Sequence, residues 1–127
     1  MFEKLELTRM AQALATQSGA RMAVIAENVA NADTPGYKAR DVPAFAEVYD
    51  AEGLEMRATR PGHLSARPQT TAPRPDVSRG HESPNGNSVS LEAEMVKSVE
   101  ARQNHDMALA IYRATSDVIR ASLGRPR

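Results

Sequence analysis

The chain has 127 residues, the length of one ordinary domain or of two long helices and a connector. Its 16 basic and 16 acidic residues cancel, which excludes the basic excess that a dedicated nucleic-acid binder needs to displace counterions. The absence of cysteine excludes disulfides and thiolate chemistry, and no Trp with only 3 Tyr and 2 Phe predicts a core completed by other chains.

No proline occurs before residue 35, and a helical pattern fills that zone. Leu7, Ala11, Leu14, Ser18, Met22, Ile25 and Val29 recur at intervals of three or four, which places them on one helix face. Arg9, Gln12, Thr16 and Glu27 lie opposite, and Ala20, Ala23, Ala26 and Ala30 form a second, small-residue surface. A helix over residues 6–31 would be about 39 Å long at 1.5 Å per residue, too long to be wrapped by the remainder of a small globule. The start, MFEKLELTRM, mixes acids and bases without an apolar core, so no conventional cleaved signal peptide is expected. Uninterrupted apolar runs such as Met22 to Ala26 and Met107 to Tyr112 are far too short to predict a membrane span.

The helix runs into Thr34-Pro35-Gly36-Tyr37, a turn by chemistry: Pro35 presets its dihedral and Gly36 can take a positive one. Asn28 and Asn31 sit on the last helical turn, where amides can bond backbone groups that lack helical partners. On local physics alone this is a plain helix stop. Six of the eight prolines then fall between Pro43 and Pro84, so the middle is expected to be irregular, with a short β-hairpin as an option. Its charges are segregated. Asp41, Glu47, Asp50, Glu52 and Glu55 read as a solvated acidic face, and Arg57, Arg60, Arg67, Arg74 and Arg79 follow with only Asp76 opposing. Both blocks are expected to meet opposite charge within the chain or across subunits.

The third zone opens with Asn87 and Ser90 as candidate N-caps, and Glu92 and Glu94 suit the positive end of a helix dipole. An alternation of four and three runs through Leu91, Met95, Ser98, Arg102, His105, Leu109, Tyr112, Ser116, Ile119 and Leu123, a coiled-coil-like seam interrupted in its middle. Met107, Ile111, Ala114, Val118 and Ala121 add a neighbouring apolar face. One partner helix covers only one of these faces, so the other must meet further chains. The expected fold is mainly α. Long N- and C-terminal helices pack as an antiparallel, coiled-coil-like pair over residues 1–34 and 87–127, joined by a Pro-rich middle over 35–86.

No constellation supports catalysis. His63, His81 and His105 have no partner at metal-ligand spacing, and no Gly-rich phosphate loop is present, so neither cofactor nor metal is expected. His63 reads as a turn residue, His81 as a loop residue and His105 as a buried seam residue.

The stretch Asn28-Val29-Ala30-Asn31-Ala32-Asp33-Thr34-Pro35-Gly36-Tyr37 is similar to the N-terminal signature of the bacterial flagellar axial family, the rod, hook and hook-associated proteins. With Asp33, and with Ala39-Arg40-Asp41-Val42 after the turn, it looks most like the proximal-rod branch. Thr59-Arg60-Pro61-Gly62-His63-Leu64 resembles an element of the family's middle, and Gly86-Asn87-Ser88-Val89-Ser90-Leu91-Glu92 resembles the start of its C-terminal helix. The chain departs from the family pattern at Ser98, Ala101 and His105.

The resemblance implies a non-enzymatic building block whose terminal helices pair into an inner α-helical tube. It implies self-association and contact with other rod subunits, the MS-ring protein and a FliE-like adaptor. It also implies export by the flagellar type III apparatus to a periplasmic basal body, with no nucleic acid and no direct membrane span. The junction residues would be Asn28, Asn31, Asp33, Thr34, Pro35, Gly36, Tyr37, Arg40 and Asp41. Assembly contacts would come from Leu7, Leu14, Met22, Ile25 and Val29, and from Leu91, Met95, Leu109, Ile111, Tyr112, Val118, Ile119 and Leu123. A cytosolic helical-hairpin adaptor or type III secretion chaperone is the alternative of another class. Within the family, another proximal rod protein is the alternative.

Overall fold

The computed structural model describes residues 2–52, 75–78 and 82–124. Glu55, the Thr59–Leu64 element, the five arginines of the basic block, His63 and His81 lie outside the described residues. Helix α1 (Phe2–Ala30) has 29 residues and is therefore about 43 Å long. Strand β1 (Arg40–Asp41), helix α2 (Phe45–Glu52) and strand β2 (Asp76–Val77) precede helix α3 (Leu91–Ser122). The two long helices pack against each other in antiparallel sense, since Asn28 meets Glu94 while Arg21 reaches Glu100.

Helix α1 buries Ala11, Gln17, Ser18, Val24, Ile25 and Asn28, with Leu14, Arg21 and Met22 half-buried. This is the face read from periodicity, rotated toward its polar side, so that Leu7 and Val29 are left exposed. The Ser18 hydroxyl is buried without a hydrogen-bond partner among the described residues. Ser90 caps α3, its Oγ accepting from the Ala93 N–H at 3.4 Å, while Glu92 and Glu94 occupy the positive first turn.

The inward face of α3 differs from the seam expected from the sequence. Glu94, Ala101, Ala108 and Thr115, spaced by seven, are buried. Leu91, Met95, Tyr112 and Leu123 of the expected seam are exposed, as is Arg102. The physical reason is size: with Ala11 and Ser18 buried on α1 and Ala101 and Ala108 buried on α3, the helices approach closely, and large residues do not fit between them. His105 is half-buried rather than buried, beside Asp106.

The connector is closed at its base. Strands β1 and β2 pair antiparallel, Arg40 with Val77 and Asp41 with Asp76, and the Ser78 N–H extends the contact to the Ala39 carbonyl at 2.8 Å. This pair joins the two ends of the connector instead of forming a tight hairpin. Helix α2 was not foreseen. Its 8 residues are too few for periodicity to reveal, and it is held by a Phe45–Tyr49 ring contact at 5.4 Å and by Gln17 Nε2 donating to the Pro43 carbonyl at 2.9 Å. No helix among the described residues is long and apolar enough to cross a membrane.

Candidate functional site

The turn after α1 forms as its residue types require. The Asn31 N–H and Nδ2 both return to the Glu27 carbonyl, at 3.2 and 2.8 Å, and Thr34 Oγ1 donates to Asn31 Oδ1 at 3.3 Å. Gly36 takes φ +74°, and its N–H donates to the Asn85 carbonyl at 3.0 Å. Gly86, at φ +79°, lies so close that a Cβ added to it would meet the Gly36 Cα at 3.4 Å. At both positions the positive φ, rather than a lack of space, favours glycine. Asp33, Thr34 and Pro35 are exposed on the outer side of the turn.

Asn28 does more than end a helix. Fully buried, it donates from Nδ2 to the Arg40 carbonyl at 2.7 Å and accepts the Arg40 N–H on Oδ1 at 3.0 Å. Its amide therefore pairs with Arg40 as a neighbouring peptide in a sheet would. The same Nδ2 donates to Glu94 Oε2 at 3.0 Å, and the Tyr37 hydroxyl reaches Asn28 Oδ1 at 3.4 Å.

From Glu94 a charged chain runs back to α1. Lys97 Nζ lies 2.9 Å from Glu94 Oε1 and 3.4 Å from Asp41 Oδ2. Asp41 accepts both Arg21 Nε at 3.1 Å and Arg21 Nη2 at 3.4 Å, a two-point contact. Asp41, read from the sequence as part of a solvated acidic face, is instead half-buried and held by cations from both long helices. Burial works to raise its carboxyl. The Arg21 and Val42 hydrogen bonds and the Arg21 and Lys97 charges outweigh that and hold it below the ordinary carboxylate range. Burial likewise works to lower Lys97, and the Glu94 hydrogen bond with the Asp41 charge reverses the sign and holds its ammonium above the ordinary range. Tyr37 is pushed up, first by burial and then by the Glu27 charge.

The sign of each shift gives a pH window. The Asp41 contribution is present above about pH 4 and is lost as pH falls through its lowered folded value; that of Lys97 is present below about pH 10 and is lost as pH rises through its raised one. Asp41→Asn is therefore expected to cost about 2 kcal/mol at neutral pH and to flatten the loss of stability below pH 4. Urea midpoints of both chains from pH 7 down to 3 check this, and parallel acid limbs would contradict it.

Arg21, Lys97, Glu94 and Asn87 carry much of this site, and the sequence reading assigned none of them to it. Glu94 and Asn87 were read as local helix-start residues. Arg21 had a signal: it is the single charged residue between Met10 and Ala26. A lone charge on so apolar a stretch needs a partner.

The expected assembly residues divide differently. Ile25 is buried, and Leu14, Met22, Leu109, Ile111 and Ile119 are half-buried. Leu7, Val29, Leu91, Met95, Tyr112, Val118 and Leu123 are exposed. Leu91, Met95, Val96 and Val99 adjoin one another on the outer side of the first turns of α3, at 48, 68, 60 and 67% exposure. On α1, Ala23, Ala26 and Ala30 are exposed, and from Gln12 to Ala26 its outer face carries no charged side chain. Large apolar residues of one surface and small residues of the other suit helix-on-helix contact with further subunits.

A family model described as "Flagella basal body rod protein" matches residues 10–38, most of α1 and the turn. The chain is 30% identical over 118 residues to the flagellar basal body rod protein FlgB of Agrobacterium fabrum (strain C58), covering 88% of each sequence. It is 34% identical over 77 residues to FlgB of Proteus mirabilis (strain HI4320), covering 54% of this chain and 56% of the relative.

Proposed function

The chain belongs to the family of the flagellar basal body rod protein FlgB, and from that premise we propose how it assembles. It is a structural subunit of the bacterial flagellar basal-body rod, a motility structure built with other rod components. The geometry that supports assembly is the imbalance of its apolar residues. The core of the described residues holds Val24, Ile25 and Val42 with several alanines, while larger apolar side chains on α3 stand in solvent. A subunit whose large apolar side chains face outward is completed by its neighbours.

In this reading the subunit is a non-catalytic part of the proximal rod, next to the MS-ring protein and a FliE-like adaptor. Copies and related rod subunits meet through the outer face of α1 and the Leu91–Val99 face of α3. The flagellar type III apparatus exports it, and it works in the periplasmic basal body. The terminal helices and closed junction form one structural unit, and the connector over 35–86 makes outer contacts.

The test is deletion and recovery. Removing the gene is expected to leave basal bodies without a rod and cells without motility, and a tagged copy that restores motility is expected to co-purify with detergent-extracted basal bodies. Recovery of the tagged chain only in the cytosol, bound to one client, would instead establish the adaptor or chaperone reading.

A further inference from the structure

The end of α1 is capped locally by Asn31 and Ala32, but the turn that follows it is not completed by its own sequence. Helical carbonyls at a C-terminus lack intrahelical donors and are commonly met by a glycine turn immediately after the helix. Here the carbonyls of Asn31, Ala32 and Thr34 converge on Asn87 Nδ2 at 3.0, 2.8 and 2.8 Å. Asn87 lies more than fifty residues downstream, is 2% exposed, and accepts the Val89 N–H on Oδ1 at 2.7 Å. Asn28 acts in the opposite direction. From the N-terminal segment it holds both backbone groups of Arg40 and reaches Glu94 on α3.

Each buried amide thus completes a segment other than its own. Between them the Ser88 N–H donates to the Tyr37 carbonyl at 3.0 Å, and the Ala39 N–H donates to Ser88 Oγ at 2.9 Å. Until the segment before α3 docks, the Ala32 carbonyl lacks its donor, and the Asn31 and Thr34 carbonyls keep only the Thr34 and Tyr37 N–H groups of the turn itself. Until α1 is in place, both backbone groups of Arg40 lack theirs, and Glu94 keeps only Lys97. Buried polar groups left unpaired are costly, so partial closure is disfavoured from both sides.

We propose that Asn28 and Asn87 form a reciprocal amide clasp that makes the exit of α1 and the start of α3 close as one cooperative unit. Both are positioning residues, and the coupling stands independently of the rod reading. It makes the paired helices an all-or-none platform whose outer faces keep a fixed relation to each other.

Residue-resolved hydrogen exchange on the full chain tests this. In the unaltered chain the Arg40 and Val89 amides, held by Asn28 and Asn87 respectively, are expected to be protected. Asn87→Asp removes the donors while keeping shape, and it is expected to speed exchange at Arg40, which Asn87 does not touch, by at least tenfold. Asn28→Asp is expected to do the same at Val89, and the double variant is expected to add little to either single one. The Ala108 amide, in the middle of α3, serves as the reference and is expected to stay protected.

If an aspartate variant also loses protection at Ala108, glutamine at the same position, which keeps the donors but displaces them by one methylene, is read in its place. Acceleration confined to the amide that each side chain itself holds would overturn the proposal. So would an unaltered chain without protection at Arg40 and Val89.

Discussion

Asn28→Ala is expected to destabilise the chain by about 3 kcal/mol, a large part of the stability of any domain. The substitution leaves the Arg40 N–H and C=O without partners and removes one of the donors to the buried Glu94 carboxylate. Lys97 remains on Glu94, which keeps the loss below that of an unpaired buried charge. Removal of a surface asparagine would cost a few tenths of a kcal/mol, and a plain helix-ending residue about 1. Thermal or urea unfolding followed by helical circular dichroism separates these cases. A loss under 1 kcal/mol would mean that Arg40 finds other partners and that the junction is not held through this amide.

The second large effect concerns assembly with little change in folding. Met95→Glu combined with Val99→Lys places a favourable pair four residues apart on side chains that are 68 and 67% exposed. Both new residues are good helix formers, and neither original side chain contributes to the buried face of α3. The stability of the isolated chain is therefore expected to change by no more than about 0.5 kcal/mol. Against a neighbouring subunit, the same two charges would lose their water and cost several kcal/mol each. A fold-neutral change thus becomes an assembly block.

What the sequence revealed and what it concealed divide along physical lines. The turn at Gly36, the Ser90 cap and the two long helices were legible because each is set by local chemistry: a positive φ, a short hydroxyl side chain, an apolar period near 3.6. The inward face of α3 was not legible. Hydrophobic periodicity weights large residues, and those on α3 point outward, while the contact with α1 runs through Ala101, Ala108, Thr115 and a charged Glu94. In the assembly proposed for this chain, the strongest apolar signal marks surfaces for neighbours.

The hold of Asn87 on the turn after α1 was hidden for a different reason. Asparagine announces a turn or cap locally, and nothing in its identity names carbonyls more than fifty residues away. Asp41 was misread because its acidic neighbours in sequence suggested solvent, whereas its spatial neighbours are Arg21 and Lys97.

That the exposed apolar face of α3 joins subunits of the rod is most directly tested in cells whose only copy carries Met95→Glu and Val99→Lys. Basal bodies are isolated and their rods are counted, alongside the unfolding midpoint of the purified chain. The expected result is an unchanged midpoint with rods absent and the chain missing from basal bodies. Rods of normal number, containing the variant chain at its normal level, would contradict it.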